Sequence, residues 1–230
     1  LTFGTTFTNA TTYTLTVDNV EDASNNAMAA SNINFVFFVS DSPSEKDVVI
    51  SELFPDPSPQ IGLPDAEYIE LFNATTNKYF DLENWTLSDG SSTATLPSAN
   101  LFPGEYLIIC ASADVALFSA YPNVLGVSSF PSLNNAADSV ALADDFALLI
   151  DEVVYTDDWY QDSEKDGGGY SLELINPFSP CSSISNWRVS NDALGGTPGA
   201  QNSIYDDTPD VIAPFITSIE TIDKQLIYIN

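Results

Sequence analysis

VVISELFPDPSP (Val48 to Pro59) is followed by EYIELFN (Glu67 to Asn73), NWTLSDG (Asn84 to Gly90) and LFPGEYLIIC (Leu101 to Cys110). Each is a short β-like segment, and turns of Pro, Asp and Gly join them. Such runs with turn chemistry between them read as strands of an all-β sandwich or barrel. Val48 to Phe54 is the first strand of this set and Glu67 to Phe72 the second. Trp85 and Leu87 lead into the tight turn Ser88-Asp89-Gly90, where Gly90 can supply a positive φ. Pro103-Gly104 turns the chain into Tyr106 to Cys110.

Further along, Ala113 to Ala120 (ADVALFSA) predicts a short helix, with Ser112 as its cap and Pro122 as its stop. Ser139 to Ala143 and Phe146 to Asp151 predict a hairpin around Asp144-Asp145, and Tyr170 to Ile175 a late strand. Asn186 to Arg188 and Gly195 to Ala200 read as a turn-dominated ending. The three glycines there make no phosphate loop, because no Lys and no strand-to-helix context follow them.

The order of these pieces resembles a bacterial lamin tail domain. The resemblance runs through ISELFPDP, EYIELFN, WTLSDG, LFPGEYLIICASAD, NNAADSVALAD (Asn134 to Asp144), YSLELINP (Tyr170 to Pro177), NWRVS (Asn186 to Ser190) and GGTPGAQNS (Gly195 to Ser203). It implies an immunoglobulin-like β-sandwich over residues 47–203, of a kind found in secreted proteins beside Ig-like modules and hydrolases. Asp145-Phe146 departs from the Asp-Gly type of turn that is usual at that point, so a different turn is expected. No filament-forming coil accompanies the domain here, so a filament role is not implied.

Residues 1–40 contain TTYTLTV (Thr11 to Val17), where Tyr13, Leu15 and Val17 alternate with threonines as in a half-buried strand. INFVFFV (Ile33 to Val39) reads as a more buried one. This piece resembles the closing strands of a bacterial Ig-like domain of the surface-layer type. Residues 211–230, with Phe215, Ile216 and Ile219 and then Gln225 to Ile229, resemble the opening of such a domain. DSPSEK (41–46) and IYDDTPD (204–210) are the linkers. The end pieces either pack together as one Ig-like domain or belong to separate neighbours in an array. The start at Leu1, inside a β-like segment, suggests a piece of a longer polypeptide.

Composition narrows the function. The 230 residues carry 33 acidic and 5 basic side chains, a net charge of -28. Lys46, Lys78, Lys165, Arg188 and Lys224 are scattered, so nothing can neutralise a row of phosphates or an anionic membrane. With 44% hydrophobic residues the chain is far too apolar for a disordered polyanion. No apolar run is long enough for a transmembrane helix, so direct membrane insertion is not expected. The absence of His removes the commonest general base and transition-metal ligand. Arg188, the only Arg, is expected to pair with a carboxylate. Three N-x-S/T sites occur, at Asn9, Asn73 and Asn84.

Carboxylates are the only plentiful catalytic material: Asp144-Asp145, Asp157-Asp158 and the group Asp162, Glu164, Asp166. A glycan hydrolase needs two of them facing each other across a cleft, which neighbours on one strand do not do. Calcium suits them better, since hard cations take carboxylate oxygens. Asp162, Glu164 and Asp166 alternate before three mobile glycines, like the start of a calcium loop without its final acid. Asp56, Asp65 and Glu67 form a second oxygen-rich stretch. Trp159 and Tyr160 beside Asp157-Asp158, together with Tyr121, are the candidate ligand-facing aromatics. Cys110 and Cys181 can form one disulfide, or both stay reduced in the core.

The expectation is a non-enzymatic structural or adhesion module of an extracellular or cell-surface bacterial protein. Its partners would be neighbouring domains of the same polypeptide, or an extracellular polysaccharide or protein, with no nucleic acid. The alternatives are a calcium-assisted carbohydrate-binding module and a carboxylate-dependent glycan hydrolase. Exposed aromatics would favour the first of these, and a cleft holding facing acids the second.

Overall fold

The computed structural model describes residues 4, 6–179, 183–208, 219–221 and 227–229. Thr11–Val17 (β1) pairs antiparallel with Ser31–Phe37 (β2), and these two form a sheet of their own. The main domain begins with Val48–Phe54 (β3), Tyr68–Asn73 (β4), Phe80–Asp81 (β5), Thr86–Ser88 (β6), Thr93–Thr95 (β7), Asn100–Leu101 (β8) and Tyr106–Ala111 (β9). Val124–Val127 (β10), Ala137–Ala143 (β11), Leu149–Thr156 (β12), Leu172–Leu174 (β13) and Trp187–Val189 (β14) complete it. Ile219–Thr221 (β15) and Ile227–Ile229 (β16) pair with each other.

A six-stranded sheet in the order β10-β9-β4-β3-β13-β14 faces a four-stranded one in the order β12-β11-β6-β7. This is an immunoglobulin-like β-sandwich. Its core interdigitates Ile50, Leu53, Ile69, Leu71, Leu107 and Ile109 with Leu87, Val140, Leu142, Ile150 and Val153. β10 joins β9 in parallel, because the turn before it carries the chain back to the sheet edge without reversing it.

β3 and β4 are buried along their whole length. One face of each supplies the sandwich core. The other supplies a second cluster of Phe54, Leu63, Ala66, Tyr68, Ile108, Cys110 and Phe118. The six-stranded sheet is therefore covered on both sides, the outer side by loops, and its central strands lose the polar alternation of a half-exposed sheet. The register of β3 on β4 shifts between Ile50 and Glu52. Ser51 is the extra residue of a β-bulge, which returns Leu53 to the core and aims Glu52 at the outer face.

Several expectations need revision. The predicted helix at 113–120 is a single 3-10 turn, Val115–Phe118, preceded by Asp114, with no side-chain cap. Only Phe118 is buried there, so one apolar anchor is too little to carry a longer helix. β2 is not the more buried strand of its hairpin: Ile33 is 62% exposed, because this two-stranded sheet has no layer of its own on that face. The second strand of the 137–156 hairpin starts at Leu149 rather than Phe146. Asp144 accepts from the backbone N–H groups of Phe146 and Leu148 and holds the turn closed, with Ala147 at positive φ. This is a turn other than Asp-Gly, as the residues at 145–146 led one to expect. Gly90 has φ 81° in its turn.

Residues 38–46 are tied down. Phe38 packs on Phe102, Asp41 donates its N–H to the Tyr79 carbonyl, and Lys46 forms an ion pair with Asp151 on β12. Phe215, Ile216 and Gln225 lie outside the described residues, so the choice between packing of 211–230 on 1–40 and separate neighbours falls outside them too.

Candidate functional site

Two of the three candidate ligand-facing aromatics, Trp159 and Tyr160, are core residues. Asp157–Tyr160 makes one 3-10 turn that folds Trp159 and Tyr160 inward. Trp159 is 8% and Tyr160 2% exposed. Trp159 lies against Trp187 with ring centroids 6.1 Å apart, and Tyr160 donates its hydroxyl to the Tyr170 carbonyl at 3.2 Å. Tyr121 is half-buried beside Phe118. Asp157 and Asp158 face water on the other side of the turn.

Asp162, Glu164 and Asp166 do not converge either. Asp162 spends its carboxylate on the Glu164 N–H and its carbonyl on the N–H groups of Lys165 and Asp166, which makes a closed turn. Glu164 and Asp166 point to solvent. Lys165 donates to the Ser190 carbonyl at 2.7 Å and lies 5.1 Å from the Tyr170 ring centroid. Two of the three glycines that follow are not mobile spacers. Gly168 and Gly169 sit at positive φ against the Ser58 and Pro59 carbonyls, where a Cβ has no room. Among the described residues no three His, Cys, Asp or Glu side chains are grouped to hold a metal ion. Asp56 accepts from the Ser58 N–H, whereas Glu67 accepts from Ser132 and Leu133, so that second stretch is divided too.

Cys110 is a free, buried thiol in the outer cluster, and burial pushes it up to about 11. Cys181 lies outside the described residues, and the expected disulfide finds no support. Arg188 is exposed and donates to the Gln161 side-chain carbonyl at 3.3 Å rather than to a carboxylate. Asn73, one of the three N-x-S/T asparagines, is buried and donates to the carbonyls of Lys78 and Leu101.

The unusual chemistry lies elsewhere. Glu173 on β13 stands opposite Glu52 on β3, and Glu52 stands opposite Glu70 on β4. Residues directly opposite share a face, so the three carboxyls form one row across the outer side of the sheet. All three are 0% exposed. Residues 195–204 cross over the row and supply much of its hydrogen bonding. Thr197 N–H donates to Glu52 Oε1 at 3.0 Å, and the Thr197 hydroxyl donates to Glu173 Oε1 at 3.0 Å. Gly199 N–H donates to Glu70 Oε2 at 2.5 Å. Ser203 Oγ and Ile204 N–H donate to Glu173 Oε2. From the sheet, Tyr68 and Ser171 hydroxyls donate to Glu52 Oε1 and the Ser51 hydroxyl to Glu70 Oε1.

No cation reaches this row: among the described residues the ion pairs are Lys46–Asp151 and Lys78–Asp47. Burial first, and then the neighbouring Glu173 charge, push the Glu52 carboxyl up to about 8. Burial and the Glu52 charge likewise raise Glu70 well above the usual carboxylate range. Two adjacent acids with raised proton affinity are hydrolase material, but these are sealed under the strap. A surface groove of about 360 Å³ between Ser40–Pro43, Asp81–Trp85 and Asp144–Phe146 is acidic and is lined by none of them.

The missed signal is legible in retrospect. Ser51-Glu52-Leu53, Ile69-Glu70-Leu71 and Leu172-Glu173-Leu174 each place a glutamate before a leucine inside a strand. A charge in the middle of a strand buried on both faces calls for a third layer that supplies donors.

The comparisons with known proteins agree with this architecture. No curated protein and no solved structure matches the chain. Residues 41–157, half of its length, match the Lamin Tail Domain family. The chain belongs to the lamin tail domain family.

Proposed function

We propose that this lamin tail domain is a non-enzymatic structural or adhesion module of a secreted or cell-surface bacterial multidomain protein, where it spaces or displays its neighbours. The observation that carries this reading is the burial of Trp159 and Tyr160, the aromatics best suited to stack on a sugar. A carbohydrate-binding module keeps such rings at its surface. The dispersed Asp162, Glu164 and Asp166 remove the support for calcium assistance, and the sealed glutamate row offers a glycan no access. Three of the five cations are engaged within the fold: Lys46 with Asp151, Lys78 with Asp47 and Lys165 with Ser190. That supports a partner other than nucleic acid. No helix of the described residues is long and apolar enough to cross a membrane.

The test is titration calorimetry of the chain against soluble polysaccharides and against calcium, each with and without chelator. The expected result is no saturable heat with either. Saturable glycan binding that a chelator abolishes would replace this reading with the calcium-assisted one.

A further inference from the structure

We infer that residues 195–200 are a proton-controlled latch: they stay closed over Glu52, Glu70 and Glu173 while that row holds a proton, and they lift when the row is fully ionised.

The latch itself has no titratable side chain; it is Gly-Gly-Thr-Pro-Gly-Ala. Its grip on the sheet consists of Thr197 and Gly199 donating to the three carboxyls, and of the Gly195 carbonyl accepting the Ser171 N–H at 2.8 Å. It lies too close for side chains: a Cβ on Gly196 would stand 2.5 Å from Glu52 Oε1, and one on Gly199 2.9 Å from the Pro122 ring. Water therefore cannot reach the row without displacing it. Downstream, Asn202 donates to the backbone carbonyls of Ser51 and Leu174, both at 2.8 Å. None of the bonds at Gly195 and Asn202 involves a titrating group, so both ends stay pinned and opening is confined to the residues between them.

The electrostatics give the direction. Glu52 Oε1 takes three donors, while Oε2 is buried and has no hydrogen-bond partner. An ionised carboxylate with one bare oxygen is costly in a low dielectric, and a protonated one, which leaves an unpaired O–H but carries no charge, costs less. The groups facing it deepen the effect. Glu70 and Tyr68 face it from β4 and Glu173 from β13. Tyr121 feels the Glu52 charge from the loop before β10, and Asp192 adds another negative charge there. Tyr106 feels the Glu70 charge, and Tyr205 lies near Tyr106. The loop after β3 contributes Leu63 to the contact at Gly196. Arg188, opposite Glu173 in register, is turned to Gln161. Hydrogen bonds to Glu52 favour its ionised form, but burial and the Glu173 charge outweigh them. Full ionisation is relieved by hydration, and lifting the latch is the shortest path for water.

The test is hydrogen exchange on the whole chain at pH 6 and pH 9, with each rate corrected to the intrinsic rate at that pH. In the wild type, protection of peptides covering 195–200 falls at least tenfold at pH 9, while the β11–β12 hairpin changes less than twofold. In Glu52→Gln the latch keeps its protection to within twofold at both pH values. Three outcomes overturn the proposal: no loss in the wild type, an equal loss in the hairpin, or the same loss in Glu52→Gln. Should Glu52→Gln fail to fold, Glu70→Gln is read by the same criteria.

Discussion

The side-chain amide of Asn202 donates to the carbonyl of Ser51 at 2.8 Å, so the tail of the domain is fastened to the residue that bulges β3. Ser51 has stepped out of the regular ladder. The same amide reaches the Leu174 carbonyl. Asn202→Ala strands two buried acceptors at once. The expected cost is about 3 kcal/mol in urea unfolding, at 1–3 kcal/mol for each buried group left unsatisfied. A loss below about 0.5 kcal/mol would show that the tail contributes nothing to the sheet.

Gly196 tests the closeness of that tail by a different route. A methyl there meets Glu52 Oε1 at 2.5 Å, Ser171 Oγ at 2.7 Å and Leu63 Cδ1 at 2.9 Å. Gly196→Ala is expected to destabilise the domain by about 2 kcal/mol through overpacking. Gly167→Ala is the control, since a Cβ there meets nothing within 4 Å and the residue is not at positive φ. It should stay within about 0.5 kcal/mol of the wild type. Equal effects at the two positions would refute the tight packing of the tail.

Much of this architecture was legible beforehand, and what was not has a common cause. The bounds of β3 followed from VVISELF, and the sandwich from short runs punctuated by Pro, Asp and Gly. Gly90 announced its own turn. By contrast, Glu52, Glu70 and Glu173 read as ordinary strand charges. Their burial depends on a strap that meets Glu52 from 145 residues away. Local pattern cannot display a contact of that range. Trp159 and Tyr160 failed for the mirror reason: two acids beside two aromatics suggest a surface, yet a 3-10 turn sends the acids out and the rings in. The helix at 113–120 failed because Val115 and Leu117, apolar in sequence, stay exposed and leave Phe118 as the one buried anchor.

The glutamate row also sets the pH profile of global stability. Glu52 rises from 4.5 to about 8 on folding, so the folded chain holds a proton that the unfolded chain has released. More protons bound to the folded form means stability falls as pH rises. The contribution is complete below about 4.5 and is lost as pH climbs through about 8. The slope within that window is up to about 1.4 kcal/mol per pH unit, or on the order of 3 kcal/mol between pH 5 and 8. Asp151, which burial raises despite Lys46, adds to the same trend at lower pH. Urea titrations should show the wild type strongest near pH 5, and Glu52→Gln should flatten the curve above pH 5. A variant as steep as the wild type would assign the proton elsewhere.

The family match ends at residue 157, but the cooperative unit does not. β13 hydrogen-bonds to the free side of β3, and β14 extends that edge with Trp187 and Val189 in the sandwich core. Cutting the chain after 157 exposes the edge of β3, strips Leu172, Leu174 and Trp187 from the core and bares Glu52 and Glu70 of their cover. Each large core side chain removed is worth roughly 2–4 kcal/mol. Three such losses, about 6–12 kcal/mol together, are as large as the whole stability of a typical domain, about 5–15 kcal/mol. A chain of residues 41–157 should therefore give the narrow amide dispersion and non-cooperative urea curve of an unfolded or aggregating polypeptide. A chain of residues 41–206 retains the strap and both Asn202 bonds and should unfold in one sharp transition. If the shorter chain unfolded as sharply, the strands and strap after 157 would be an appendage rather than half of the outer layer, and the buried glutamates would need another source of donors.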